Sequence, residues 1–334
     1  MKKILALALV AAMALSLAAC GNSEPSGDAG AGSSAGAENS ATAQYTVGVC
    51  QLVQHEALDA ATQGFIDALD EIMGEGVVAV DVQNAQNDSP TCSTIVNKFV
   101  SQEVDLIMAN ATPALQAASA GTKDIPILGT SVTEYGVALE IDGFDGLVGG
   151  NISGTSDLAP LDEQAAMVKE WFPDAKTVGL LYCSAEANSQ YQVDTIKAYL
   201  EDLGYTCEYY AFSDSNDLAA VTNTAVANSD VIYVPTDNTV ASNAGIIDNI
   251  CAPAKVPVIA GEEGICAGCG VATLSISYYD LGYGTGQMAA KILKGEADVS
   301  EMPIEYAPNF TKKYNKAKCE ALNITVPEGY IAIE

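Results

Sequence analysis

The chain has 334 residues, 43 acidic and 14 basic, with a formal charge of −29 and no arginine. That balance excludes nucleic acid and phosphate-rich ligands, which require a basic footprint. It also removes the guanidinium fork that usually clamps a carboxylate, so an anionic ligand group must be held by backbone N–H groups, hydroxyls, amides or lysine.

Met1-Lys-Lys opens the chain and is followed by an apolar run, Ile4 to Leu17, too short to span a bilayer comfortably. The run ends in Leu17-Ala-Ala-Cys20, which resembles the bacterial lipoprotein cleavage box. Residues 1–20 are therefore expected to be a lipoprotein signal peptide ending at a lipidated Cys20, with two or more acyl chains anchoring the protein outside the cell membrane. Residues 21–44 are rich in Gly, Ser and Ala, without aromatics or periodicity. Such a stretch cannot bury a core and is expected to be a flexible linker.

From Tyr45 the pattern changes. Thr46-Val-Gly-Val-Cys50 reads as a buried strand, and Ala57 to Ile72 spaces its apolar residues as an amphipathic helix. Val77 to Val82 gives a second strand, a helix runs through Ile95, Val96, Phe99 and Val100, and Asp105 opens a third strand. There Asp105-Leu-Ile-Met-Ala-Asn-Ala-Thr-Pro113 leads through a helix to Asp124-Ile-Pro-Ile-Leu-Gly129. Asp230-Val-Ile-Tyr-Val-Pro-Thr-Asp-Asn238 leads in the same way to Lys255-Val-Pro-Val-Ile-Ala-Gly261. Strand, polar tip, helix, X-Pro strand and glycine thus occur twice.

Between the copies, Gly149 to Ser156 reads as a crossing, Leu161 to Trp171 as a helix, and Thr177-Val-Gly-Leu-Leu-Tyr182 as a restart of the strand pattern at Thr46. Helices at 192–203, 218–228 and 241–251 and a strand at 207–212 complete the second copy. Val271 to Ile276 leads back towards the first lobe with a helix at 280–293, and residues 302–334 supply small elements of the second. The expected fold is α/β: two doubly wound parallel-sheet lobes joined by a hinge, with the motion centred near Gly154 and Ser277. The first lobe is expected to hold residues 45–151 plus 277–300, the second 152–276 plus 301–334. Trp171 is expected in the core, and the spaced glycines Gly282, Gly284 and Gly286 in close helix packing rather than a nucleotide loop.

Catalysis finds little footing. His55 is the one histidine, without a nucleophile elbow or a metal-spaced partner. Cys266-Ala-Gly-Cys269 stands alone without a second pair; the body cysteines leave open local disulfides or free thiols. No metal and no cofactor is expected, and the protein is not read as an enzyme.

Binding is better supplied, because ligands of open α/β sheets sit at the carboxyl ends of the strands. The polar tips there are Asn110 and Thr112, then Thr130 and Ser131, then Thr236, Asp237 and Asn238. Thr112-Pro113 reads as an N-cap and first-turn proline, whose helix N–H groups would seat a carboxylate. Asp157, Asp237 and Glu262 are candidates for an ammonium, with Asp157 at the hinge, and His55 is expected on the cleft rim. These features define a small zwitterionic ligand, more aromatic or large apolar than small. A sugar or other polar solute is the rival, a sensory ligand-binding lipoprotein would share every feature, and a lipid-anchored hydrolase is a further class.

Gln54-His-Glu-Ala-Leu-Asp59, Ala111-Thr-Pro113, Ser156-Asp157, Glu186-Ala-Asn-Ser189 and Pro235-Thr-Asp-Asn-Thr-Val240 resemble the motifs of ABC transporter substrate-binding lipoproteins of the tryptophan/tyrosine type. The resemblance implies the type I periplasmic-binding-protein fold, capture of an amino acid such as tryptophan, tyrosine or phenylalanine, and an ABC permease with its cytoplasmic ATPase as partners of a monomer. By motif, His55, Thr112, Ser156, Asp157, Asn188, Asp237 and Asn238 would line the pocket. Gly261-Glu-Glu-Gly264 and the cysteine pair after it depart from the pattern.

Overall fold

The computed structural model describes residues 43–333, so the expected signal peptide, Cys20 and nearly all of the linker lie outside the described residues. The chain runs β1 (Tyr45–Gln51), α1 (Glu56–Met73), β2 (Val78–Asn84), α2 (Ser89–Ser101), β3 (Leu106–Asn110), α3 (Thr112–Gly121), β4 (Ile127–Val132), the single turn α4 (Tyr135–Ala138) and β5 (Ile152–Ser156). The next stretch holds α5 (Leu161–Trp171), β6 (Thr177–Cys183), α6 (Ala187–Asp202), β7 (Thr206–Phe212), α7 (Ser215–Asn228) and β8 (Val231–Val234). Then come α8 (Asn238–Ala241), α9 (Ala244–Ala254), β9 (Val258–Ala260), α10 (Glu263–Gly268) and β10 (Ala272–Ser275). The chain closes with α11 (Tyr278–Leu293), β11 (Glu305–Tyr306), β12 (Thr311–Tyr314), α12 (Lys316–Leu322) and β13 (Ile331–Ala332).

One sheet has the order β11-β5-β4-β3-β1-β2, the other β13-β12-β10-β9-β8-β6-β7. Each sheet is covered by helices on both faces, as continuous apolar strands require. Val47, Val49, Leu106 and Met108 face one layer of the first lobe, while Cys50, Ile107 and Ala109 face the other. The second sheet divides in the same way, with Val178, Leu180 and Tyr233 on one side and Leu181, Ile232 and Val234 on the other. Trp171 is buried in that core, edge-on to Tyr330 at 5.0 Å between ring centroids. The pairings are parallel except β10 with β12, where the returning chain runs antiparallel along the sheet.

The duplication has a physical mark. Asp105, before β3, accepts the Thr46 N–H at 2.7 Å; Asp230, before β8, accepts the N–H groups of Lys176 and Thr177 at 2.7 and 2.9 Å. In each lobe one aspartate ties the third strand to the start of the first. Those backbone donors hold the Asp230 carboxyl below its usual range.

The boundaries differ from those expected. β5 pairs with β4, so residues 152–156 belong to the first sheet and the first crossing begins at Asp157. Gly154 is part of that sheet rather than a loose hinge, because a Cβ there would overlap the Gly129 backbone and the Tyr135 hydroxyl. The third crossing also moves, since β11 pairs with β5 before the chain enters the second sheet at β12. The 241–251 helix divides into α8 and α9, and α6 starts five residues earlier than expected, at Ala187.

The helices α1 and α11 lie against each other. A Cβ on Gly64 would overlap the Tyr279 carbonyl, and one on Gly282 the Ala61 carbonyl. A Cβ on Gly286 would fall 2.6 Å from the Phe65 carbonyl oxygen. Gly284 faces nothing nearer than 4.0 Å, so two of the three spaced glycines serve the helix contact.

Candidate functional site

Between the lobes His55, Ser131, Asp157, Asn188, Thr236, Asp237, Asn238 and Glu262 line one cavity. Leu58, Thr133, Ala241 and Tyr278 complete its wall. Only about 10 Å³ of this cavity admits the centre of a water molecule. That is about the space one water requires. Two hydrogen bonds join the lobes at its edge: His55 Nε2 to Asn238 Oδ1 at 3.2 Å, and Asn87 Nδ2 to Thr239 Oγ1 at 3.0 Å. The cleft is closed.

A buried carboxylate organises the second-lobe side. Glu186 Oε1 accepts from the Thr239 N–H and hydroxyl, both at 2.8 Å, and Oε2 from Asn238 N–H at 3.0 Å and Nδ2 at 2.7 Å. The free N-terminal N–H groups of α8 thereby find a partner. The same bonds fix the Asn238 amide with its nitrogen on Glu186 and its oxygen on the imidazole, so His55 donates from Nε2. Burial keeps the His55 imidazole below its usual range.

The other acids are held differently. Asp237 caps α8 through Val240 N at 2.9 Å and takes Cys183 N at 2.7 Å. Burial, followed by repulsion from Glu186, pushes it up to about 8. Glu262 caps α10 through Gly264 N at 2.7 Å and Ile265 N at 2.5 Å, and burial pushes it up to about 7. Both of these carboxylates are committed to backbone. Asp157 is not: Oδ2 accepts the Tyr278 hydroxyl at 3.0 Å, while Oδ1 is buried and unpartnered. Burial raises its pKa, opposed by the hydroxyls of Thr133 and Tyr278. Asn188 Oδ1 and Ser131 Oγ are likewise buried without a partner. Ser131 also holds a left-handed backbone, φ 53°, a strained conformation of the kind concentrated at ligand sites.

Four expected residues stand outside the cavity wall. Asn110 donates to Leu58 O at 2.9 Å and Thr62 Oγ1 at 3.0 Å, which fastens α1 to β3. Thr130 Oγ1 lies 3.2 Å from Thr155 Oγ1, itself 2.8 Å from Thr285 Oγ1, a hydroxyl chain linking β4, β5 and α11. Ser156 donates to Thr133 O at 2.8 Å and holds the start of the crossing. Thr112 is the first residue of α3 rather than its cap; Ala111 is the cap, at φ 90°. The carboxylate seat expected at that helix start does not open to the cavity.

Two doubly wound lobes closing over a polar cavity have the architecture of a solute receptor. Among the described residues no group of three or more His, Cys, Asp or Glu is placed to hold a metal ion. The chain belongs to the ABC transporter substrate binding protein family, whose sequence profile matches residues 46–333. Members of that family serve ABC importers outside the cytoplasm. No helix among the described residues is long and apolar enough to cross a membrane.

A tyrosine-binding protein of Clostridioides difficile is 38% identical over 312 residues, covering 91% of this chain and 87% of its own. The structure of a Streptococcus pneumoniae ABC domain in complex with L-Trp superposes with a TM-score of 0.82 at 32% identity, over 87% of this chain and 100% of that one. A ligand-free, open substrate-binding protein with adhesive properties from Clostridium difficile gives 0.67 at 39% identity, covering 87% of this chain and 99% of its own. Sugar receptors of this fold, such as an L-rhamnose complex at 11% identity, share the architecture alone.

Proposed function

We propose that the cleft captures a zwitterionic amino acid with an aromatic side chain and that the protein presents it to an ABC permease. The observation carrying this reading is the set of buried, unpartnered polar atoms on the cavity wall: Asp157 Oδ1, Asn188 Oδ1 and Ser131 Oγ. Two acceptors beside a hydroxyl match an ammonium next to a carboxylate, and a buried charge requires such a partner. Asp157 and Asn188 take the ammonium, the Ser131 hydroxyl donates to the carboxylate, and the ring lies among Leu58, Ala241 and Tyr278. The aromatic preference rests on the tyrosine-binding relative and the L-Trp complex.

A ring needs more room than the closed cavity leaves, so the bound ligand holds the lobes slightly further apart than they stand here. The higher TM-score to the less identical, ligand-bound relative supports a closed arrangement for this chain, since the more identical open one superposes less well. A sugar would want an aromatic face to stack on, and the single tryptophan is committed to the second-lobe core.

The protein acts as a monomer tethered through lipid at Cys20, with residues 21–44 as the linker. Cys20→Ser would then leave the membrane fraction, and unchanged fractionation would end that part of the reading. Calorimetric titration of a ligand-stripped sample tests the ligand. Tyrosine, tryptophan or phenylalanine should bind most tightly; tight sugar binding with no amino acid binding would overturn the proposal.

A further inference from the structure

The eight cysteines of the body are all buried and all reduced in this structure. One pair among them is in contact across two elements. Cys50 near the end of β1 and Cys92 in the first turns of α2 share one apolar layer, and both are fully buried. Cys50 Sγ lies 4.0 Å from the Cys92 carbonyl oxygen. The Cys50 thiol thus points at the backbone of Cys92 itself. We infer that Cys50 and Cys92 are joined by a disulfide in the exported protein, stapling β1 to α2.

The setting favours it. Proteins of this family work outside the cytoplasm, where disulfides persist. A strand and the helix packed on it can hold the backbone separation that the bond requires. While the chain is still folding either thiol can attack first, Cys92 for instance. Its thiolate attacks one sulfur of a small disulfide oxidant and releases a thiolate; Cys50 then gives up its proton and displaces the second thiol from Cys92 Sγ. Two thiol protons and two electrons pass to the oxidant, which leaves as two thiols. Full burial places this exchange during folding, before α2 closes over β1. The bond would also brace the loop ahead of α2, whose Asn87 reaches across the cleft to Thr239.

The test is thiol mapping on the full chain refolded in a mixture of reduced and oxidised glutathione, then denatured and alkylated without reductant. Glu56, Glu71 and Glu75 lie between the two cysteines, so a glutamate-specific protease separates them unless they are linked. A peptide pair joined through Cys50 and Cys92 is expected, together with loss of that pair on reduction. Reduction should lower the melting temperature by about 5–10 °C, the range for a bond closing a loop of this length. The Cys50→Ala, Cys92→Ala variant should show no such reductant-dependent shift. Alkylation of both cysteines in the refolded chain, or a disulfide elsewhere with these two free, overturns the inference.

Discussion

Glu186→Gln is the most informative single change, because it keeps the shape of the side chain and removes one acceptor. Each oxygen of Glu186 serves one backbone N–H and one side-chain donor of the α8 start. Whichever way the glutamine amide turns, its NH2 faces a buried backbone N–H. The Thr239 hydroxyl or the Asn238 amide can turn away; the backbone donor cannot. One buried donor left without a partner costs about 1–3 kcal/mol, with a smaller loss for the displaced side chain. A total of about 2–4 kcal/mol lowers the melting temperature by roughly 4–10 °C in a chain of this size.

The same change acts on Asp237. Its carboxyl stands at about 8, with burial the larger cause and the Glu186 charge the second. A carboxyl raised in the folded state binds its proton there while the unfolded chain has lost it. Its stabilising effect is therefore fully present at pH values below the ordinary carboxylate range and is lost as pH rises to about 8. Glu262, raised to about 7, adds a slope of the same sign. In Glu186→Gln the Asp237 pKa falls and the decline with pH becomes shallower. Urea unfolding at several pH values reads both effects. A variant with the wild-type midpoint and the wild-type slope would show that Glu186 does not organise this side of the site.

Asp157→Asn should weaken amino acid binding on the order of a hundredfold, the consequence of breaking one partner of a buried charge pair; unchanged calorimetric affinity would remove Asp157 from the ammonium site. Asn87→Ala removes one of two bonds across the cleft edge and should shift the closed-to-open ratio roughly two- to tenfold; a scattering profile identical to wild type would count against that latch. Gly282→Ala should destabilise by about 1–3 kcal/mol or more, since its Cβ meets the Ala61 backbone. Gly284→Ala, two residues on and facing open space, should be neutral or stabilising by under about 1 kcal/mol. Equal melting temperatures for these two variants would contradict the packing described for α1 and α11.

The sequence makes the paired lobes legible because each copy carries its own short apolar strand, its polar tip and its leading aspartate. The crossings are harder to place. Ile152-Ser-Gly-Thr-Ser156 has the composition of a turn, and only the approach of Gly154 to Gly129 and Tyr135 shows why a strand needs a glycine there. Polar residues at strand ends mark the cavity only in part, since nothing local tells Ser131, which faces the cavity, from Thr130, which faces inward. Leu58 and Tyr278 read as ordinary helix positions and reach the cavity through the packing of α1 and α11. The role of Glu186 is invisible in sequence because its partners lie 52 and 53 residues away.

Asp157 links ligand to motion on the proposed reading. It begins the first crossing, and the Tyr278 hydroxyl that holds its Oδ2 belongs to the helix starting just after the second. Closing the empty cleft therefore buries a carboxyl at the hinge with one oxygen unpartnered, which either costs several kcal/mol or requires a proton. The raised pKa of Asp157 expresses that cost. An ammonium at Oδ1 removes it in the closed form and gains much less from the solvated carboxylate of an open form. A ligand shifts a conformational equilibrium only by its difference in affinity for the two states, and here the difference is concentrated on one atom. An amino acid whose ammonium is replaced by hydrogen should consequently lose both affinity and the ability to compact the protein. Scattering with tyrosine and with its des-amino analogue at saturation would separate the two effects: compaction by the analogue equal to that by tyrosine would show that closure does not depend on Asp157.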